Sequence, residues 1–163
     1  MIGKLRIVVG FAVTMVALVG GIDSRAAPEA EPLQLEAKIP LGDVRGRIDH
    51  MAIDKSRQRL FVAELGNDSV AVVDLGARKM IRTISGLKEP QGVGYVPAID
   101  TLFVANAGDG SVRLFHGADY AASGRIELGD DADNIRVDPT ADRIYVGYGR
   151  GVAVIEPATS RKL

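Results

Sequence analysis

Cysteine is absent from all 163 residues. Disulfide staples are therefore excluded, and packing alone must hold any exported domain together. Lipidation at a lipobox is excluded for the same reason. An excess of one charge sign is also missing, since 20 Lys and Arg stand against 21 Asp and Glu for a formal charge of −1. Without a basic stripe, nucleic acid is excluded as a partner. Histidine is scarce, with only His50 and His116. They fall at different stations of a tandem repeat, so spacing indicates no Ser/His/Asp arrangement. The longest apolar run, Ile7 to Ile22, is shorter than the roughly 20 residues of a membrane-spanning helix.

That run follows Lys4 and Arg6 and ends at Ser24-Arg25-Ala26, a small-x-small cleavage pattern. Residues 1–26 read as a secretory signal peptide cleaved after Ala26, which predicts a periplasmic or secreted protein. Membrane contact is expected only through this segment, and only if it stays uncleaved. Cleavage removes Lys4, Arg6, Arg25 and Asp23 and leaves a mildly acidic chain. Residues 27–32 form an Ala/Pro/Glu linker.

The remainder is the tandem repeat. Leu60-Phe61-Val62-Ala63 returns as Leu102-Phe103-Val104-Ala105 and again as Ile144-Tyr145-Val146-Gly147, each time after 42 residues. Ser69-Val70 recurs as Ser111-Val112 at the same offset, while Val152-Ala153-Val154-Ile155 arrives two residues early, as a shortened hairpin loop would make it. A period of about 40 to 45 residues with short β-branched runs between Gly/Asp/Asn/Pro turns is the signature of a four-stranded β-propeller blade. Runs such as Val70 to Val73 and Leu102 to Val104 are apolar on both strand faces. Sheets covered on both sides by neighbouring sheets require that.

The predicted fold is all-β, a partial, open propeller spanning residues 33–163. It comprises about three four-stranded antiparallel blades plus one extra N-terminal outer strand. The outer strand and its connection occupy 33–46, where Leu33, Leu35, Ala37, Ile39 and Leu41 alternate with polar residues and proline. Blade 1 covers 47–88, blade 2 covers 89–130, and an incomplete blade 3 covers 131–163, with its fourth strand expected to be missing. Three blades are fewer than the usual minimum of about four, so the chain reads as an arc of a larger ring, either a truncated fragment or a subunit that completes a ring with another copy. Self-association through its open blade faces is expected.

Phe103-Val104-Ala105-Asn106 resembles the name motif of the YVTN-repeat β-propeller family of bacteria. Tyr145-Val146-Gly147-Tyr148 and Phe61-Val62-Ala63-Glu64 match without the terminal Asn, and Gly66-Asn67-Asp68-Ser69-Val70-Ala71-Val72-Val73-Asp74 resembles the family's downstream pattern. The resemblance spans about Leu33 to Leu163. It implies an exported protein whose architecture is similar to the quinoprotein amine dehydrogenase β-subunit and to lactonase-like propellers. It also implies about seven blades in an intact ring.

Propellers gather binding residues on the loops that lead into each innermost strand. Here these carry Arg47, Asp49 and His50, then Gln91 and Gly92, then Asp133 and Asn134, with Asp49/Gln91/Asp133 and His50/Gly92/Asn134 each 42 apart. In a closed ring they would share one channel mouth, with Arg47 as anion partner, His50 as metal ligand or proton carrier, and Asp49 and Asp133 as acceptors. Asp131, Asp133 and His50 are the metal candidates. Asp130-Asp131-Ala132-Asp133-Asn134 carries oxygen ligands but lacks the spacing of an EF-hand loop. Gly147-Tyr148-Gly149-Arg150-Gly151 superficially resembles a phosphate-cradling loop, but it leads into a strand and not a helix. No cofactor is required for the fold, and no catalytic residue is assigned. The favoured function is a non-catalytic binding or scaffold module for a protein or small-molecule ligand. The alternative is a quinoprotein dehydrogenase-like or lactonase-like enzyme with a metal or cofactor at the Asp49/His50/Asp133 mouth.

Overall fold

A computed structural model describes residues 33–163. The expected signal peptide and linker lie outside the described residues. By contacts the chain divides into units 1–34 and 35–163, and the second carries every described strand.

Among the described residues, twelve strands form three antiparallel sheets, each ordered as in sequence. The first holds β1 (Ile48–Asp54), β2 (Arg59–Glu64), β3 (Ser69–Asp74) and β4 (Lys79–Ser85). The second holds β5 (Pro90–Val96), β6 (Thr101–Asn106), β7 (Ser111–His116) and β8 (Ala121–Glu127). The third holds β9 (Ala132–Asp138), β10 (Arg143–Tyr148), β11 (Gly151–Glu156) and a two-residue β12 (Arg161–Lys162). The short β12 supplies the fourth strand that the sequence suggested was missing, and Leu163 extends it by donating its N–H to the Val154 carbonyl at 2.9 Å.

The turns keep the repeat as faithfully as the strands. Gln58, Asp100 and Asp142, one per first hairpin and 42 apart, all adopt positive φ, at 51°, 45° and 51°. This is the left-handed region that reverses the chain tightly and that polar side chains tolerate. Asp54 and Asp138 brace their hairpins by accepting backbone N–H groups two and three residues on. Val96-Pro97 does the same work with a proline-started 3-10 turn.

Sheets pack face to face, with inner strands β1, β5 and β9 side by side. At the first seam Phe61 lies between Tyr95 and Tyr120, each ring centroid 5.6 Å away, in a cluster with Val70, Val72, Val93, Leu102 and Val104. At the second, Phe103, Ala105, Val112 and Leu114 pack against Ile135, Ile144, Val146 and Ile155. Each fully buried large side chain contributes about 1.5 to 3 kcal/mol, and these seams collect most of it.

One expected element differs. No strand precedes Ile48 among the described residues; residues 35–47 are irregular. Ile39 and Leu41 instead lie over Val62, Ala71 and Val73 of the first sheet. Pro40 between them has no N–H to donate to a ladder, so apolar contact replaces strand pairing. This segment covers the part of the first sheet that faces away from the second.

Candidate functional site

The loops leading into β1, β5 and β9 deliver the predicted site residues to the same end of the inner strands. A further feature makes that placement specific. In all three sheets the pairing of the inner strand slips at this end: between Ile48 and Met51, between Pro90 and Val93, and between Ala132 and Ile135. Each slip is a β-bulge. The residues it leaves out of register are Asp49-His50, Gln91-Gly92 and Asp133-Asn134. Bulges re-aim side chains away from the pleat and are over-represented beside functional sites. Three bulges thus fall at one station of the repeat, at the same end of the inner strands.

In the first module Arg47 Nε donates to Asp49 Oδ2 at 3.1 Å, and His50 Nδ1 sits 2.8 Å from Asp49 Oδ1. The second contact is close but misaligned, leaving His50 Nδ1 buried without a hydrogen-bond partner. In the second module Gly92 lets β5 approach β9, because a Cβ there would collide with the Asp133 carbonyl. Any side chain at residue 92 would push the two bulges apart. In the third, Asp133 Oδ1 is sealed from solvent with no donor, and Asn134 Oδ1 accepts from Arg136 Nη1.

Beside Asp133 opens a cavity of about 330 Å³, floored by Asp131, Asp133 and Asn134 and walled by the Gly147 to Val152 hairpin. The glycine-rich stretch is thus a strand-to-strand loop that lines a cleft. The structure brings Gly92, Asp133 and Asn134 together, and separately Arg47, Asp49 and His50. It does not bring His50, Asp131 and Asp133 into one set: among the described residues no three His, Asp or Glu side chains converge as metal ligands. His116 is exposed at the end of β7, its Nδ1 3.2 Å from the Ile99 carbonyl.

The opposite end of the inner strands holds a network that spacing did not single out. Arg57, from the first hairpin, donates from Nε to Asp54 Oδ2 at 2.6 Å and from Nη2 to the Tyr95 hydroxyl at 2.5 Å, and it forks onto Asp100. Tyr95 donates to Asp100 at 2.8 Å. Burial raises the Asp54 carboxyl, yet hydrogen bonds from Ser56 and Arg57 outweigh it and hold the group below the usual aspartate range. The Arg57 hydrogen bond lowers Asp100 in the same sense. Burial, then donation to Asp100, pushes the Tyr95 phenol up to about 12. The network adjoins a second, more apolar cavity of about 430 Å³ lined by Ile53, Tyr95, Pro97, Val137 and Pro139. A signal for it does exist in the sequence. One period on, Arg57 and Tyr95 become Ile99 and Val137, which pack as apolar residues at the second seam. The first seam is clamped by ions where the second is closed by hydrocarbon.

No protein-family profile matches the chain, and no curated protein sequence matches it. Solved structures do. Hydrazine synthase from Kuenenia stuttgartiensis superposes with a TM-score of 0.64 at 21% identity, over 78% of this chain and 38% of that one. The WD40 repeats of RRP9 superpose with a TM-score of 0.64 at 11% identity, over 74% of this chain and 39% of that one. The chain thus spans under two-fifths of the length of either structure, and at these identities the likeness speaks for the fold. That fold is the β-propeller, present here as three four-stranded blades in an unclosed arc.

Proposed function

We propose that the chain is an exported, YVTN-repeat-type propeller module that binds a ligand at the bulged end of its channel without converting it chemically. The observation that carries this reading is the threefold bulge, which aims Asp49-His50, Gln91-Gly92 and Asp133-Asn134 at one end of the inner strands. An acceptor buried without a donor, Asp133 Oδ1, lies there beside a cleft. Asp131 and Asp133 line that cleft with Asn134, and carboxylate and amide oxygens accept from a ligand hydroxyl or amine. The ligand class that fits is therefore small and rich in hydrogen-bond donors.

Saturation-transfer NMR with a panel of monosaccharides and small primary amines tests the reading. At least one probe should bind, and Asp133→Asn should weaken it about tenfold while the fold is unchanged by circular dichroism. Binding indifferent to Asp133→Asn and to Asp49→Asn, or confined to the cavity beside Tyr95, would sink it.

A further inference from the structure

The cavity of about 430 Å³ beside Tyr95, at the end of the inner strands opposite the bulges, is built by the repeat itself. Ile53, Tyr95 and Val137, each 42 residues apart, form one rung of its lining, and Lys55, Pro97 and Pro139, again 42 apart, form the next. All three blades thus contribute a wall. At the bulged end the corresponding rung, Asp49, Gln91 and Asp133, is wholly polar. Here it is hydrocarbon and aromatic. Small-molecule sites are concave, mostly apolar, and roughly 300 to 1,000 Å³ in volume, with a few placed polar groups that fix the ligand.

Nearly every polar side chain around this cavity is already committed inside the protein. Asp54 Oδ1 accepts from the Ser56 hydroxyl and from two backbone N–H groups, and its Oδ2 accepts from Arg57 Nε. The Tyr95 hydroxyl donates to Asp100 and accepts from Arg57. Pro97 and Pro139 have no N–H to offer. Lys55 is the exception. It is exposed, and among the described residues no carboxylate pairs with it. The wall opposite is rigid, because the Tyr95 ring is held by its two hydroxyl bonds and flanked by the Phe61 ring and the Arg57 guanidinium, 5.6 and 5.5 Å from its centroid. A wall fixed in advance costs a ligand little ordering.

The geometry points to a second ligand site, for a small aromatic carboxylate whose ring lies against Tyr95, Val137 and the prolines and whose carboxylate meets the Lys55 ammonium. Flat apolar walls suit a planar ring, and an unpaired cation suits an acid. A polyol fits poorly, since its hydroxyls would find no free acceptor here and would lose their water. The two ends of the inner strands therefore take opposite chemistry: hydrogen-bond donors at the bulges, an apolar acid beside Tyr95. The second site does not rest on the first.

Saturation-transfer NMR titrations of the full chain with benzoate, benzamide and acetate test this assignment, since benzamide keeps the ring without the charge and acetate the charge without the ring. Benzoate should bind about fivefold or more tightly than either, and Lys55→Gln should weaken it about fivefold, the upper end for a solvent-accessible ion pair. Benzamide should be unaffected by that change, and Lys55→Glu should weaken benzoate further. Lys55 is an exposed turn residue, so both variants should keep the native circular dichroism. Asp133→Asn should leave benzoate binding unchanged. No benzoate binding at about 10 mM, affinity indifferent to both Lys55 variants, or acetate bound as tightly as benzoate would overturn the site. Probes and variants differ from those for the bulged end, so either site can fail while the other stands.

Discussion

Arg57 offers the sharpest energetic test, because the molecule contains its own replacement. Asp54 is fully buried, and its Oδ2 takes the Arg57 Nε bond at 2.6 Å. Stripping one partner from a buried ion pair typically costs about 3 to 5 kcal/mol. Here Asp54 keeps the backbone N–H groups of Ser56 and Arg57 and the Ser56 hydroxyl, at 3.0, 3.3 and 2.6 Å. The loss therefore reduces to one charge-assisted bond, about 1.5 to 3 kcal/mol. The contact with Asp100, whose side chain is 38% exposed, adds under about 1 kcal/mol. Arg57→Ile should thus destabilise by about 2 to 3 kcal/mol. Grafting the second hairpin, Val-Pro-Ala-Ile-Asp from residues 96–100, onto 54–58 should return stability to within about 1 kcal/mol, since exchanging a buried pair for packed apolar groups is often neutral. Urea unfolding followed by circular dichroism at fixed protein concentration suits a chain without tryptophan. With a slope of about 1 to 3 kcal/mol/M, the single variant should shift the midpoint by about 0.7 to 3 M. A cost below about 1 kcal/mol, or a graft no more stable than Arg57→Ile, would refute the reasoning.

Acid should act on the same network. Asp54 and Asp100 titrate lower folded than unfolded, so their contribution is fully present above the unfolded aspartate value of about 3.9 and is lost as pH falls below it. Stability measured from about pH 7 to 2.5 should be flat to about pH 5, then drop, with a shallower drop in Arg57→Ile. At Glu64, buried with Oε1 unpartnered, Glu64→Asn should stabilise by about 1 kcal/mol in thermal unfolding. Asn106, at the equivalent station, bonds Val104, Ser111 and the Lys88 N–H. Intact mass of the protein recovered from the periplasm should begin at Ala27; recovery of full-length chain in the cytoplasm would contradict export.

Strand order, turns and seams were readable from the sequence because each rests on a local pattern repeated three times. Phe61 and Phe103 advertise buried second strands, and Gln58, Asp100 and Asp142 mark the same reversal. The bulges were not readable. Asp49-His50 looks like any polar pair at a strand start, and the extra residue shows only against its partner strand, where Ile48 opposes Glu64 and Met51 opposes Val62. The Arg57 network escaped for a related reason: attention to what repeats passes over the station that breaks the repeat. Alternation from Leu33 to Leu41 misled: only Ile39 and Leu41 lie on a sheet face, Leu33 and Leu35 are exposed, and the segment joins no sheet. Asn106 ties the Lys88 backbone to β6, a role that composition could not reveal.

Contacts of two phenylalanine rings test the blade stack most directly. In a NOESY spectrum of the chain, Phe61 should show cross-peaks to the Tyr95 and Tyr120 rings, and Phe103 to the methyls of Ile135 and Ile144. Rings that reach only residues of their own sheet would contradict it.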